Sequence, residues 1–138
     1  MTVCTHARGE RLGQIARGQM RMTAAGDMIA TQWHALPARF VHVHLDTFIV
    51  MPDHVHGIVH LRSVEGAAPR VSLSEVIAAF KSTSTRAYID GVKRLGWPQF
   101  DRRLWQRSFY EHVIRDAVEL AALRQYIVDN PMRRWLRL

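Results

Sequence analysis

One cysteine, Cys4, stands in the 138 residues, which excludes an intrachain disulfide and a thiolate zinc cluster. Lysine is nearly as scarce: of 19 basic residues, 17 are arginine and only Lys81 and Lys93 are lysine. No apolar run reaches the roughly 20 residues of a membrane-spanning helix. The N-terminus also lacks the charged and apolar regions of a secretory signal. These absences point to a reducing cytoplasm, nucleoid-associated if the partner is DNA, with no membrane partner. Repeats, low-complexity tracts and linkers are missing too, so residues 1–138 are expected to form a single domain around one core.

What the chain has is positive charge, +7 net, carried by arginine. A guanidinium presents a planar fork of donors that matches phosphate oxygens in pairs, so a nucleic-acid partner is expected. Arginine-rich codon usage in a GC-rich genome is the competing explanation.

The pattern along the chain alternates between strand and helix. Residues Thr2 to His6 read as a strand, opening so near Met1 that an upstream segment or an earlier start is expected. A hairpin over 13–22 turns near Gly18. Thr23 caps a helix from Ala24 to Ala35, ended by Pro37. From Phe40 to Val50 the period is two, with Val41, Val43, Leu45, Thr47 and Ile49 on one face and Phe40, His42, His44, Asp46 and Phe48 on the other. Met51-Pro52-Asp53 turns the chain into a second alternating strand, in which His54, His56, Ile58 and His60 oppose Val55, Gly57, Val59 and Leu61. A tight hairpin sets His44 across from His60 and Asp46 across from Ile58. One sheet face is then apolar and the other carries five histidines and an aspartate.

A loop follows over 62–70, and Ser72 to Glu75 forms a capping box for a helix to about Ile89. Leu73, Val76, Ile77, Phe80, Ala87 and Tyr88 recur at helical spacing and face the core. The outer face, Lys81, Ser82, Thr85 and Arg86, combines cations with small hydroxyls, as phosphate-contacting surfaces do and as plain solvated faces also do. Gly91 to Arg103 reads as a loop with the basic pair Arg102 and Arg103, then Leu104 to Ile114, including Arg107, as a strand. Asp116 and Glu119 start a last helix, ended by Pro131. The order implies an α+β fold, a central antiparallel sheet with flanking helices.

The chemistry concentrates on His54 and His56. Two imidazoles at i and i+2 of a strand leave the same face on a backbone that does not splay them. An amide oxygen from Asn130 could complete a mixed N/O set, which suits a divalent ion such as Mg or Mn better than structural zinc. Tyr126 lies one helical turn before Asn130, on the same face. A phenol needs activation to act as a nucleophile at neutral pH, and this spacing brings it and a metal to one phosphate.

Met51-Pro52-Asp53-His54-Val55-His56-Gly57, Trp105-Gln106-Arg107-Ser108-Phe109-Tyr110-Glu111-His112-Val113-Ile114-Arg115 and Tyr126-Ile127-Val128-Asp129-Asn130-Pro131 together resemble the signature of single-tyrosine HUH transposases, most of all the REP-associated tyrosine transposases. The resemblance runs from Thr2 to Pro131. It implies an HUH endonuclease, ferredoxin-like arrangement and a nuclease that nicks and rejoins single-stranded DNA near a hairpin through a 5′-phosphotyrosine. By matching motif, His54, His56 and Asn130 are the metal ligands and Tyr126 the nucleophile. Asp53 stands where that family commonly has asparagine. Lys81, Ser82, Thr85, Arg86, Arg102, Arg103 and Arg107 are the candidate DNA contacts. A homodimer completing each site with the partner's tyrosine is compatible with the resemblance.

Three other readings compete. Histidine-triad nucleotide hydrolases require a third alternate histidine, but Ile58 follows His56 and Asp46 follows His44. A domesticated module that binds DNA without cutting it keeps the same residues. Tyr110 is the rival nucleophile, on a segment where no amide follows at helical spacing. His42, His44, His60 and His112 are assigned to surface or sheet-packing roles.

Overall fold

The structure, a computed structural model, describes residues 1–6, 11–66 and 71–137; the expected loop over 62–70 therefore falls partly outside them. The centre is a hairpin of β4 (Val43–Met51) and β5 (His54–Leu61), joined by the two-residue turn Pro52-Asp53. A short strand, β1 (Thr2–Cys4), pairs antiparallel with the other edge of β5, giving the order β1-β5-β4. Alternation puts Val55, Gly57 and Val59 on one face of β5 and His54, His56 and His60 on the other.

Two helices cover the first face. In α1 (Ala24–His34), capped by Thr23, Trp33 stacks on Phe48 with ring centroids 4.5 Å apart. It also meets Phe80 of α3 (Leu73–Leu95) edge-on at 5.5 Å. The second face, with the histidines, is covered by α4 (Ala117–Arg137). Helices on both sides of an antiparallel sheet confirm the α+β reading.

Gly57 makes the first packing possible. A β-carbon there would lie 2.7 Å from Trp33 Cζ2 and 3.1 Å from Phe48 Cδ2, and Trp33 is fully buried with Phe80 behind it. Gly57→Ala is expected to cost about 1–3 kcal/mol by overpacking. Thermal unfolding would show this as a Tm lower by several degrees; an unchanged Tm would contradict the close approach.

The sequence pattern misplaces several elements, each for a local reason. β4 starts at Val43 rather than Phe40, because residues 40–42 form a turn closed by the Val43 amide donating to the Phe40 carbonyl. A bulge between Leu45 and Phe48 then shifts the pairing: His44 faces His60 as expected, but Phe48 pairs with Gly57 and Ile49 with His56. One extra residue reverses the parity, so Phe48 joins the core face and Asp46 sits in the bulge rather than across from Ile58.

Pro37 does not stop the chain from coiling. It occupies the first turn of a short helix, α2 (Leu36–Arg39), where a missing N–H costs nothing. The hairpin near Gly18 forms as β2 (Gly13–Ala16) and β3 (Gln19–Met22), turning through Arg17 and Gly18, both with positive φ.

α3 runs on to Leu95, well beyond Ile89. The break comes at Gly96, whose φ of 72° is the left-handed C-cap that glycine alone adopts freely. Gly91, which looked like a stop, is buried inside the helix beneath Trp97.

The strand expected over 104–114 is instead an irregular segment bridged to β1 at only two points, Thr5 with Trp105 and Thr2 with Tyr110. Between them a side chain of α3 takes backbone carbonyls that a ladder would need, and Trp105 is tied to the same helix through its ring. Lys81 Nζ donates to the carbonyls of Gln106 (2.7 Å) and Ser108 (3.2 Å), and Trp105 Nε1 donates to Ser84 Oγ at 2.9 Å.

Last, α4 starts as expected, with the Glu119 amide donating to Asp116 Oδ1 at 2.8 Å, but it passes through Pro131 to Arg137. An interior proline costs about 3 kcal/mol. Beyond it Met132 packs on Gly18 and Arg134 reaches Asp53, and these contacts oppose that cost.

Candidate active site

β5 holds the two histidines side by side, ring centroids 4.6 Å apart and nearly perpendicular. Each has its Nδ1 engaged. His54 Nδ1 lies 2.7 Å from Asp53 Oδ1, and His56 Nδ1 lies 2.7 Å from Thr2 Oγ1 on the neighbouring strand. With Nδ1–H donating in each case, both Nε2 atoms carry a lone pair, the arrangement that outer partners impose on metal-binding imidazoles. Thr2 reaches His56 because β1 pairs Thr2 directly with it.

The electrostatics keep His56 in a ligating form. Burial, helped by the nearby His54 and the N-terminal ammonium, pushes His56 down to about 4, so the ring is neutral near pH 7. Burial alone would raise Asp53, but hydrogen bonds from His54 and Arg134 outweigh it and hold the carboxyl well below the usual range. Asp53 is therefore an anion that fixes His54 from behind.

Across the pair lies α4. The Tyr126 ring is 6.2 Å from the His56 ring, centroid to centroid, and is 40% exposed. Asn130, half-buried, follows one turn later on the same helix. Ile127 and Pro131 are the buried residues that seat this stretch on the sheet.

Two arginines pin the helix on either side of that turn. Arg124 grips Asp46 with both ends of its fork, Nε to Oδ1 at 2.9 Å and Nη2 to Oδ2 at 2.6 Å, while Asp46 Oδ2 also lies 2.9 Å from His60 Nε2. Arg134 Nη1 donates to Asp53 Oδ1 at 3.0 Å. Each aspartate thus bridges a helix arginine to a strand histidine. The Arg124 hydrogen bonds hold the Asp46 carboxyl far below the ordinary carboxylate range.

The structure therefore brings three of the sequence-derived site residues together, His54, His56 and Tyr126, with Asn130 one turn further along the same helix as Tyr126. A divalent ion is chemically compatible with them, given an adjacent imidazole pair whose engaged atoms are Nδ1, and an amide on the facing helix. Among the described residues no group of three or more His, Cys, Asp or Glu could hold a metal, so an ion held by this pair would need its remaining ligands from the amide, solvent or phosphate oxygens.

The remaining histidines lie outside that set. His42 Nδ1 is 2.9 Å from the Arg62 carbonyl, His60 is bound to Asp46, His112 pairs with Glu119, and His44 is exposed. Tyr110 is 66% exposed and lines, with His56 and Tyr126, a groove of about 700 Å³.

The candidate DNA contacts do not converge on this site. Lys81 is spent on the Gln106 and Ser108 carbonyls, and burial lowers its pKa below the ordinary lysine value. Ser82 accepts from Arg86 Nη2 at 3.2 Å, and both are exposed, as is Arg107; Thr85 is half-buried. Arg102, at φ 66°, and Arg103 lie on the turn before Leu104.

Sequence reasoning missed Thr2, Asp53, Asp46, Arg124, Arg133 and Arg134. Asp53 carried a signal, being a carboxylate adjacent to a candidate ligand. The two arginines past Pro131 carried none once the helix was ended there.

With this geometry in place, comparison with known proteins identifies the family. The sequence pattern of the family described as "Transposase IS200 like" matches residues 31–130. An uncharacterized protein of Haemophilus influenzae (strain ATCC 51907 / DSM 11121 / KW20 / Rd) is 28% identical over 147 residues, covering 96% of this chain and 78% of its own length. A protein of the same organism described as a REP-associated tyrosine transposase is 32% identical over 88 residues, 61% of this chain and 47% of that protein. The solved structure of a REP-associated tyrosine transposase bound to a REP hairpin superposes with a TM-score of 0.69 at 22% identity, covering 96% of this chain and 65% of the other. The chain thus spans less than two thirds of that structure and about half of the second relative. Among the described residues no helix is long and apolar enough to cross a membrane. The chain belongs to the IS200-like transposase family.

Proposed function

We propose that this chain is a divalent-metal-dependent endonuclease that nicks and rejoins single-stranded DNA through a 5′-phosphotyrosine, recognising a hairpin of the kind bound by its structural neighbour. The observation that carries the reading is the approach of Tyr126 to His56 within one chain. In this reading the nucleophile and the ligand pair belong to the same chain.

In this reading His54, His56 and Asn130 hold the ion, which polarises the scissile phosphate and offsets its charge when bound. Tyr126 Oη attacks phosphorus, its proton passing to solvent. The new Oη–P bond forms as the P–O3′ bond breaks, and the departing 3′ oxygen is protonated to a 3′-OH. Rejoining is the reverse, with a 3′-OH attacking the phosphotyrosine. Asp53 and Thr2 orient the imidazoles, and Arg124 and Arg134 hold α4 at the distance the attack needs.

The test is incubation with single-stranded hairpin oligonucleotides and Mn²⁺, followed by denaturing electrophoresis. A shifted protein–DNA band supports the reading. Hairpin binding with no adduct on any strand would favour the module that binds without cutting.

The metal assignment has its own check. Calorimetric titration with Mn²⁺ is expected to show one site in the wild type. His54→Ala and His56→Ala should each weaken it at least about 100-fold, since two nitrogens cannot be replaced by water at equal strength. Asp53→Ala should weaken it less, by about 10–100-fold, as loss of an orienting partner does. Wild-type affinity in both histidine variants would refute the site.

A further inference from the structure

The helix continues past Pro131, and its last turns return two adjacent arginines to the site. Arg134 is neutralised by Asp53, as Arg124 is by Asp46. Arg133 differs from both. Its guanidinium carbon lies 4.4 Å from the centroid of the Tyr126 ring, over the ring's face. Among the described residues it has no carboxylate or hydrogen-bond partner.

A guanidinium stacked on an aromatic ring uses its flat face and leaves its edge donors available. Those donors suit a tetrahedral phosphate oxygen in pairs. The seven-residue spacing from Tyr126 to Arg133 is two helical turns, so phenol and cation share one side of α4. The uncompensated charge is thus held beside the phenol by the ring itself, and half-buried.

We infer that Arg133 is a phosphate-binding residue of the Tyr126 site: stacked on the nucleophile's ring, it grips a non-bridging oxygen of the scissile phosphate and fixes the ring for attack. This rests on the reading of Tyr126 as nucleophile. It adds a second cationic partner for the phosphate, supplied by the same helix as the nucleophile, independent of any metal. The Arg133 contact strengthens as charge gathers on the phosphoryl oxygens, so its loss should fall on the rate rather than on affinity for the hairpin.

The experiment measures single-turnover adduct formation and hairpin affinity in parallel for wild type, Tyr126→Phe, Arg133→Met and Arg133→Lys. Arg133→Met keeps an apolar stem over the ring and removes the charge; Arg133→Lys keeps a charge and removes the fork. Expected is a rate about 100-fold lower in Arg133→Met at saturating DNA, an intermediate rate in Arg133→Lys, and hairpin Kd values that change far less than the rates in both. A wild-type rate in Arg133→Met would reduce Arg133 to ring packing and overturn the inference. Equal impairment of the Met and Lys variants would also overturn it, since retained charge would then count for nothing. The two levels separate cleanly. A wild-type adduct lost in Tyr126→Phe establishes the nucleophile whatever Arg133 does. Absence of any wild-type adduct, or its survival in Tyr126→Phe, removes that reading and Arg133's role with it.

Discussion

Tyr126→Phe is expected to abolish the covalent protein–DNA adduct outright while leaving hairpin binding and the fold intact. The substitution removes one oxygen and nothing else. The ring keeps its place 6.2 Å from His56 and beneath Arg133, and 40% exposure means the hydroxyl supports no buried hydrogen bond. Without that oxygen no residue on α4 can form the ester, so the effect is complete rather than partial. Tyr110→Phe is the control. Tyr110 lines the same groove, but its segment is tied to β1 by paired backbone bonds with Thr2, 2.8 and 2.9 Å, and it should retain the adduct. Loss in Tyr110→Phe with survival in Tyr126→Phe would move the active site. Mixing Tyr126→Phe with His54→Ala should not restore activity, because the phenol and the histidines meet within one chain. Restored adduct would mean that copies exchange helices, the homodimer reading.

How much of this was readable beforehand depended on whether local period or long-range packing decides each element. The histidine hairpin was legible because a strict period of two survives through β5, and Pro52-Asp53 marks its turn. The capping box at Ser72 and the Thr23 cap were legible from local sequence too. The bulge in β4 was not. Thr47 reads as one more alternating residue, and only the Asp46 side chain, accepting from the Thr47 amide at 2.7 Å, shows why the ladder breaks there. The stretch from Trp105 to Ile114 has a strand's composition, but Lys81 and Ser84 on a distant helix draw its groups out of register. Pro131 misled most. A proline ends a helix in isolation, whereas here ion-pairing and packing beyond it keep the helix going. Ending the helix there hid Arg133 and Arg134, two of the three arginines described around the candidate site.

Uncoupling Arg124 from Asp46 should slow adduct formation by about 100-fold, the scale on which roughly an ångström of misplacement acts, with little loss of hairpin affinity. The bidentate pair anchors α4 two residues before Tyr126, and Asp46 is itself held in the β4 bulge by Thr47 and His60. Arg124→Met keeps the stem but releases the helix; Asp46→Asn keeps the shape but loses the second acceptor oxygen. If the two act as one clamp, the double variant should be no slower than either single one, a non-additivity that independent roles would not produce. Additive losses would dissolve the clamp into two unrelated contacts. The pH dependence follows from the sign of the Asp46 shift. Its folded-state pKa lies below that of the unfolded chain, so the clamp's contribution is complete above about pH 4 and falls away only as pH drops through the folded value. Hydrogen exchange of the α4 amides should therefore stay slow from neutral pH down to about pH 5, once corrected for the intrinsic rate, and quicken in stronger acid. In Asp46→Asn the protection should be lower across that whole range, and what titration remains in stronger acid should come from the Asp53–Arg134 pair.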